Sequence, residues 1–262
     1  MVTILNKNLK FLMKHLIKYN LFDYYYVYSQ KFIKFFHIKE TMDRCTYWMG
    51  WRIYRLIVKK LWKWEYHGSA NFPSTGACIL IANHHHAIDP YFAGLGIYRE
   101  VNFLAKISLF KIPIVRSLIT AFKAIPLRRG VSDQIAIRVL KEKLANGEVI
   151  GMFPEGSRTK DGTLQKFHTG TARLCLEMNV PYCPVVIFGS QDLHIGKKVT
   201  AFVGKPRYPP ADMSCTKENC KAFTEIMYND MKKLLDEKQL IVEKQNRINS
   251  YRKNKDIFQR NL

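Results

Sequence analysis

Short apolar runs alternate with segments of helical periodicity from residue 67 onwards. The runs are four to six residues long and end at turn-forming residues, which is typical of buried strands. We predict strands at residues 78–82, 101–105, 124–127, 149–153, 183–188 and 199–203. Between them we predict helices at 91–98, 108–122, 133–145 and 171–178, with a long helix from about residue 215. This alternation predicts an α/β fold with a mixed sheet flanked by helices.

The first 66 residues have a different pattern, in which cations and aromatic residues interleave at helical spacing. An apolar and a basic series define one amphipathic helix: Leu5, Leu9, Leu12, Leu16 and Tyr19 against Lys7, Lys10, Lys14 and Lys18. Residues 46–64 hold all four tryptophans, which suit the headgroup layer of a membrane. We therefore predict amphipathic membrane-interface helices over residues 1–66. The alternative is that the aromatic residues pack on the domain and leave the basic face in solvent.

The charge balance indicates an anionic partner. The 262 residues include 42 Lys and Arg against 21 Asp and Glu, a net charge of +21. Such an excess suits an anionic membrane surface or nucleic acid. We predict no nucleic-acid partner, because the sequence carries no zinc-finger, RNP-like or helix-turn-helix signature. The lack of an uncharged apolar run of about 18 residues argues against a polytopic membrane protein.

Two residues just past the first predicted strand indicate general-base chemistry. In the segment NHHHAIDP, four residues separate His84 from Asp89. A carboxylate beside an imidazole fixes its tautomer and stabilises the imidazolium. Two alternatives stay open here: Asp89 before Pro90 has the pattern of a helix N-cap, and three adjacent histidines suggest a metal. We predict no metal, since neighbouring side chains of an extended segment point in opposite directions and no third ligand is indicated.

Cations and a glycine turn follow three other predicted strands. The segment FPEGSRTKDG brings Glu155, Gly156 and Arg158 together, and a glycine turn with an arginine is suited to binding a phosphate. Arg129 follows the strand at 124–127, and Lys106 follows the strand at 101–105. Taken singly, these loops have the pattern of ordinary surface turns. Together with the His–Asp pair, they suggest transfer chemistry on a phosphate-bearing substrate.

The order of these motifs resembles the glycerolipid acyltransferase family over roughly residues 60–205. NHHHAIDP at 83–90 is similar to the family's Asn-His-x4-Asp block, and FLAK at 103–106 to its lysine-bearing strand end. AIPLRRG at 124–130, FPEGSR at 153–158 and VPYCPV at 180–185 are similar to the three blocks that follow. Phe167-x-x-Gly170 also falls where the family has its Phe-x-x-Gly.

The resemblance implies transfer of an acyl group from a thioester to the free hydroxyl of 1-acylglycerol-3-phosphate (lysophosphatidate), without a cofactor. It implies that His84 takes the hydroxyl proton and that Asp89 holds the His84 ring. The residues implied in acceptor binding are Lys106, Arg129, Glu155, Gly156 and Arg158. The implied partners are an acyl-CoA or an acyl carrier protein as donor, a lysophospholipid as acceptor and an anionic membrane surface.

Three positions depart from the family pattern. His86 stands where Ser or Thr is common, Arg128 where Asp is common, and Ser157 where Thr is common. The first two keep an acyltransferase for another lysophospholipid, or for glycerol-3-phosphate, as an alternative. A non-catalytic lipid-binding member of the fold is a third possibility. Cys78 lies within a strand and is interpreted as a buried apolar residue rather than a nucleophile.

We divide the chain into three regions on these patterns. Residues 1–66 are the membrane-anchoring helices, residues 67–245 the acyltransferase domain and residues 246–262 a polar basic tail. The six cysteines form no C-x-x-C pair and no cleavable signal peptide is visible, so we expect reduced thiols. The expected location is the cytoplasmic face of a membrane, with the chain bound to one leaflet.

Overall fold

The computed structural model of the protein describes residues 37–128, 133–159 and 161–260. The chain forms two compact units, residues 1–49 and residues 50–262. In the first unit, residues 37–49 are helical and belong to helix α1, His37–Trp62. The amphipathic helix predicted within residues 5–19 lies outside the described residues.

Seven strands in the described part of the chain form one sheet, which confirms the predicted mixed α/β fold. The strands are β1 Glu65–His67, β2 Cys78–Ala82, β3 Val101–Lys106, β4 Ile125–Leu127, β5 Val149–Met152, β6 Tyr182–Phe188 and β7 Thr200–Val203. Their order is β1-β7-β6-β2-β5-β3-β4. Every neighbouring pair is parallel except β6 and β7. The carboxyl ends of β6, β2, β5, β3 and β4 therefore lie along the same edge of the sheet.

The helices after α1 are α2 Asp89–Gly94, α3 Pro113–Ala121, α4 Gln134–Ala145, α5 Gly170–Met178 and α6 Lys217–Arg260. The helix predicted over 108–122 divides into a 3-10 turn, Ile107–Lys111, and α3. The division falls at Ile112, which is extended because the following proline disfavours helical backbone there. Helix α4 begins where the Asp133 carboxylate accepts a hydrogen bond from the Ala136 N–H at 3.1 Å.

The core lies around the central strands, and α6 closes it on one side. All five residues of β2 are buried. Phe223, Met227 and Met231 repeat every four residues along one face of α6, and each is at most 1% exposed. The Tyr182 hydroxyl, at the start of β6, donates to the Asp230 carboxylate at 2.6 Å. This packing gives the loops at the strand ends a rigid base.

The tryptophans of the second unit pack inside it. Trp51 and Trp64 are each 5% exposed. The Arg55 guanidinium lies 4.8 Å from the ring centroid of Trp51 and 5.7 Å from that of Trp64, which are cation–π distances. The prediction that these tryptophans face a headgroup layer is wrong, because their rings are buried within this unit. The outward face of residues 50–62 includes exposed aliphatic and basic side chains: Ile53, Leu56, Ile57 and Lys60.

Two region boundaries differ from those drawn on the sequence. The unit that contains the sheet begins at Gly50 rather than at residue 67, since β1 pairs with β7 and Val58 is fully buried. The segment predicted as a polar tail from residue 246 continues α6 as far as Arg260. Within the described residues, no helix has the length and apolar content needed to cross a bilayer.

Candidate active site

The predicted site residues follow strands that are neighbours in the sheet. His84 follows β2, Glu155 follows the adjacent β5, and Lys106 ends β3, which lies next to β5. Lys106 is exposed and is in register with Leu127 at the end of β4. Because neighbouring strands are about 4.8 Å apart, Lys106 ends a strand roughly 10 Å from β2. The sheet topology therefore places these residues along one edge.

Asp89 is the anchor of the loop that follows β2. Its side chain is fully buried, and Oδ2 lies 3.1 Å from His84 Nδ1. The same oxygen accepts hydrogen bonds from the backbone N–H groups of His85 and His86, both at 2.6 Å. These donors precede Asp89, and the N-cap of α2 is Ile88 without a side-chain cap bond. Asp89 is thus not a helix cap, and its carboxylate organises the histidine loop.

The contact with Asp89 determines which nitrogen of His84 is basic. A carboxylate oxygen accepts, so Nδ1 carries the proton and Nε2 has a free lone pair. The ring stacks on Phe153 with a centroid distance of 4.0 Å and an interplanar angle of 21°. His84 is 7% exposed, so its environment is largely dry. This is the arrangement of a general base that is fixed in orientation before substrate binds.

Glu155 supports the His84 backbone, a role that the sequence did not predict. Its Oε1 accepts the His84 N–H at 2.9 Å, and its Oε2 accepts the Gln165 N–H at 2.9 Å. On the other side of the residue, the Thr159 N–H donates to the His84 carbonyl at 2.9 Å. Burial raises the pKa of Glu155 to about 7. The loop after β5 thus holds His84 through contacts with its main chain.

Both the backbone conformation and the surroundings at position 156 require a glycine. Its φ of +71° lies in the left-handed region, and a Cβ there would be 2.7 Å from His168 Cδ2. His168 is held in place by its N–H, which donates to the Pro154 carbonyl at 2.8 Å. Sequence reasoning did not select His168, although it lies within the Phe167-x-x-Gly170 segment and that segment was a signal for it.

The structure describes two of the three cations that are predicted to bind the acceptor phosphate. Arg158 is exposed on the loop after β5, and Lys106 is exposed at the end of β3. Arg129 lies outside the described residues. The Arg128 N–H donates to the Asp133 carboxylate at 3.0 Å. The structure therefore brings His84, Asp89, Glu155 and Gly156 into one cluster, and Lys106 and Arg158 are exposed at the same edge of the sheet.

The sequence also raised the alternatives of a cysteine nucleophile and a metal site. Burial raises the pKa of the Cys78 thiol to about 12, which makes it a poor nucleophile and agrees with its interpretation as a buried apolar residue. The rings of His84 and His85 have different partners, Asp89 and Thr159. Within residues 37–128, 133–159 and 161–260, no three His, Cys, Asp or Glu side chains converge as metal ligands would.

The fold and this cluster define an α/β transferase-type site in which a carboxylate-supported histidine stands at the strand ends. A family model described as Acyltransferase matches residues 63–188. A solved structure, the 1-acyl-sn-glycerophosphate (LPA) acyltransferase from Thermotoga maritima, is 26% identical with a TM-score of 0.61. The match covers 89% of this chain and 98% of that one. The sequence and the fold are thus similar to those of acyltransferases, which is the resemblance that the motifs indicated.

Curated relatives carry the same kind of name. The chloroplast 1-acyl-sn-glycerol-3-phosphate acyltransferase of Brassica napus is 27% identical over 186 residues, which are 63% of this chain and 54% of the relative. The 1-acyl-sn-glycerol-3-phosphate acyltransferase of Borreliella burgdorferi is 29% identical over 134 residues, 49% of this chain and 52% of the relative. The chain thus spans about half the length of these curated relatives.

Proposed function

We propose that the protein transfers a fatty acyl group from a thioester to the free hydroxyl of 1-acylglycerol-3-phosphate, which gives phosphatidic acid. The observation that carries this proposal is the fixed His84–Asp89 pair, with Nδ1 and Oδ2 3.1 Å apart around a fully buried carboxylate. The names of the similar proteins support the choice of acceptor. No cofactor is needed, since the thioester supplies the activated acyl group.

The proton path follows from the orientation of His84. Its Nε2 takes the proton of the acceptor hydroxyl while that oxygen attacks the thioester carbonyl and forms the new C–O bond. The tetrahedral intermediate then collapses, the C–S bond breaks, and the imidazolium returns the proton to the leaving thiolate. Asp89 compensates the positive charge on the ring during this cycle. Ester and thiol are the products, so atoms and charge balance.

Three cations give the acceptor phosphate its partners. We assign this role to Lys106, Arg129 and Arg158, because each follows a strand at the same edge of the sheet as His84. Guanidinium groups bind phosphate oxygens in a bidentate manner, which also fixes the glycerol hydroxyl relative to the base. The donor is an acyl-CoA or an acyl carrier protein, and the basic surface is suited to both.

The protein works, in this proposal, on one leaflet of an anionic bilayer at the cytoplasmic face. Helix α3 supports this, because none of its nine residues is buried. A helix that connects parallel strands ordinarily covers the sheet with an apolar face. Here Ile114 is 85% exposed and Leu118 is 41% exposed, next to a 3-10 turn with exposed Leu109 and Lys111. An apolar surface with neighbouring cations fits lipid tails and anionic headgroups together.

Helix α1 offers a second surface of the same composition. Ile53, Leu56 and Ile57 are 53%, 69% and 41% exposed. They follow a helical spacing of three and four residues, so they share one face with the exposed Lys60. Both surfaces would bring the sheet edge with His84 to the depth at which a lysophospholipid presents its hydroxyl.

An acceptor panel crossed with both donor types tests the proposed function. The full chain is incubated with 1-acylglycerol-3-phosphate, lysophosphatidylglycerol or glycerol-3-phosphate, each with acyl-CoA or acyl carrier protein, and products are measured by mass spectrometry. We expect phosphatidic acid to form fastest. Faster acylation of another acceptor would replace the substrate assignment. Binding of lysolipid without any acylation would favour a non-catalytic member of the fold.

A further inference from the structure

His85 follows the catalytic base in the chain but has a separate set of partners. Its ring is hydrogen-bonded to Thr159 and Asn83, and the residue is 8% exposed. The Nδ1 atom lies 2.8 Å from the Thr159 hydroxyl, and Nε2 lies 2.9 Å from Asn83 Nδ2. One imidazole therefore connects the loop after β2 with the loop after β5.

The hydrogen-bond pattern around His85 admits one protonation state. Asn83 Oδ1 accepts the Ile187 N–H at 2.8 Å, and Nδ2 donates to the Ile187 carbonyl at 2.9 Å, so the orientation of the amide is fixed. Asn83 Nδ2 is a donor, so His85 Nε2 must accept. The proton then sits on Nδ1 and is donated to the Thr159 hydroxyl, which in turn donates to the Thr163 carbonyl at 3.2 Å.

The Thr159 end of this chain touches the proposed active site. The Thr159 N–H donates to the His84 carbonyl at 2.9 Å, and Arg158 is the preceding residue. A displacement of Thr159 would therefore move the main chain of His84, the proposed general base. It would also move the backbone from which the Arg158 side chain extends. A protonated His85 would place two donors face to face at Asn83. Burial also lowers the pKa of His85, in agreement with a neutral ring.

We propose that His85 is a positioning residue, a neutral imidazole protonated on Nδ1 that fixes the loop after β5 against the loop after β2. In this role it sets the position of His84 and Arg158 for the acyl transfer proposed above, on which this part of the inference rests. The side chain of His85 adds this tie to the contacts that Thr159 and Glu155 make with the His84 main chain, so its contribution can be tested by substitution at position 85.

Two substitutions in the full chain separate positioning from simple packing. His85→Leu fills similar space but removes both hydrogen bonds. His85→Gln retains one acceptor and one donor at the end of the side chain. We expect His85→Leu to lower kcat about 10- to 100-fold and to raise the KM for the lysophospholipid, and His85→Gln to recover part of both. Parent-like kinetics for His85→Leu, or equal losses in the two variants, would overturn the proposal.

A spectroscopic measurement tests the protonation state independently of turnover. In the parent protein labelled with ¹⁵N-histidine, the resonances missing from His85→Gln identify His85. We expect a protonated Nδ1 and an unprotonated Nε2 at neutral pH. The opposite tautomer, or protons on both nitrogens, would overturn the inference. If the parent transfers no acyl group to any acceptor, the proposed function fails, while the tautomer still decides whether the tie at position 85 exists.

Discussion

The loop after β2 and helix α3 belong to the same α/β domain, but they treat polar and apolar groups in opposite ways. In the loop, Asn83, His85 and Asp89 are buried, and each is hydrogen-bonded to other groups of the chain. In α3, isoleucine and leucine side chains are exposed, and none of the nine residues is buried. The loop thus buries polar side chains that water would otherwise solvate, and α3 exposes apolar side chains to water.

This difference suggests separate roles for the loop and for α3. A buried polar network in which the members satisfy one another is rigid and fixes the geometry of a reacting group. An exposed apolar helix face gains stability when an external apolar phase covers it. We infer that the loop supplies the proposed base and that α3 supplies a contact with lipid. The two functions can therefore be broken separately by substitutions at the two places.

The largest effect on the loop is expected for Asp89→Asn. The amide is nearly isosteric, but it removes the negative charge that stabilises the His84 imidazolium and that fixes the ring tautomer. We expect kcat for acyl transfer to fall about 10² to 10⁴-fold, with little change in binding to anionic vesicles. Transfer within twofold of the parent would show that the carboxylate has no part in the reaction.

A smaller loss is expected for Gly156→Ala. The added Cβ would meet His168 Cδ2 at 2.7 Å, and the φ of +71° disfavours alanine. The shift of the loop should lower transfer about 10- to 100-fold. Gly76→Ala is the matched control, because Gly76 has a φ of +76° and nothing within 4 Å of its Cβ position. Equal activity of the two variants would mean that contact with His168 does not matter.

The surface of α3 is tested by Ile114→Glu, which places a negative charge where an isoleucine is 85% exposed. We expect binding to anionic vesicles to weaken about tenfold, the equivalent of about 1.4 kcal/mol. Transfer to a detergent-dispersed acceptor should be retained. Leu240→Glu on α6, at a residue 69% exposed, is the control. Unchanged sedimentation with vesicles would show that this face does not contact the bilayer.

The last expected effect is a pH dependence of stability, rather than of activity, from Glu155. Burial raises its pKa from 4.5 to about 7, so the folded state keeps a proton that the unfolded chain releases. Stability from this group is therefore lost as the pH rises through that interval, by up to about 1.4 kcal/mol per unit. Glu155→Gln cannot ionise, so its Tm should fall less than that of the parent. Glu225→Gln, at an exposed residue of α6, should follow the parent, and equal slopes in all three would contradict this origin.

The strands were predictable because parallel, doubly covered strands are continuous apolar runs, as β2 is. The strand β1 was missed, since its three residues, Glu65 to His67, lack such a run and pair with a distant segment. The prediction for two of the tryptophans was wrong for a related reason. Composition suggested a lipid interface, whereas Trp51 and Trp64 are buried beside Arg55 by contacts that periodicity cannot show.

The contact between His84 and Asp89 was predictable because their spacing within one short loop brings them together. The role of Glu155 was not predictable, since its two backbone donors, at His84 and Gln165, come from different segments of the chain. The tie through His85 depends in the same way on Thr159, 74 residues away in sequence. Hydrogen bonds between loops are set by the strand order, which the sequence pattern leaves open.

The rate of acyl transfer by His84→Ala tests the central claim most directly. The variant is compared with the parent on 1-acylglycerol-3-phosphate and an acyl thioester, with vesicle binding and Tm measured on the same preparations to show that the fold is intact. The account predicts that phosphatidic acid formation falls by a factor of about 10² to 10⁴ while vesicle binding stays at the parent level. Transfer at the parent rate by a folded His84→Ala protein would contradict it.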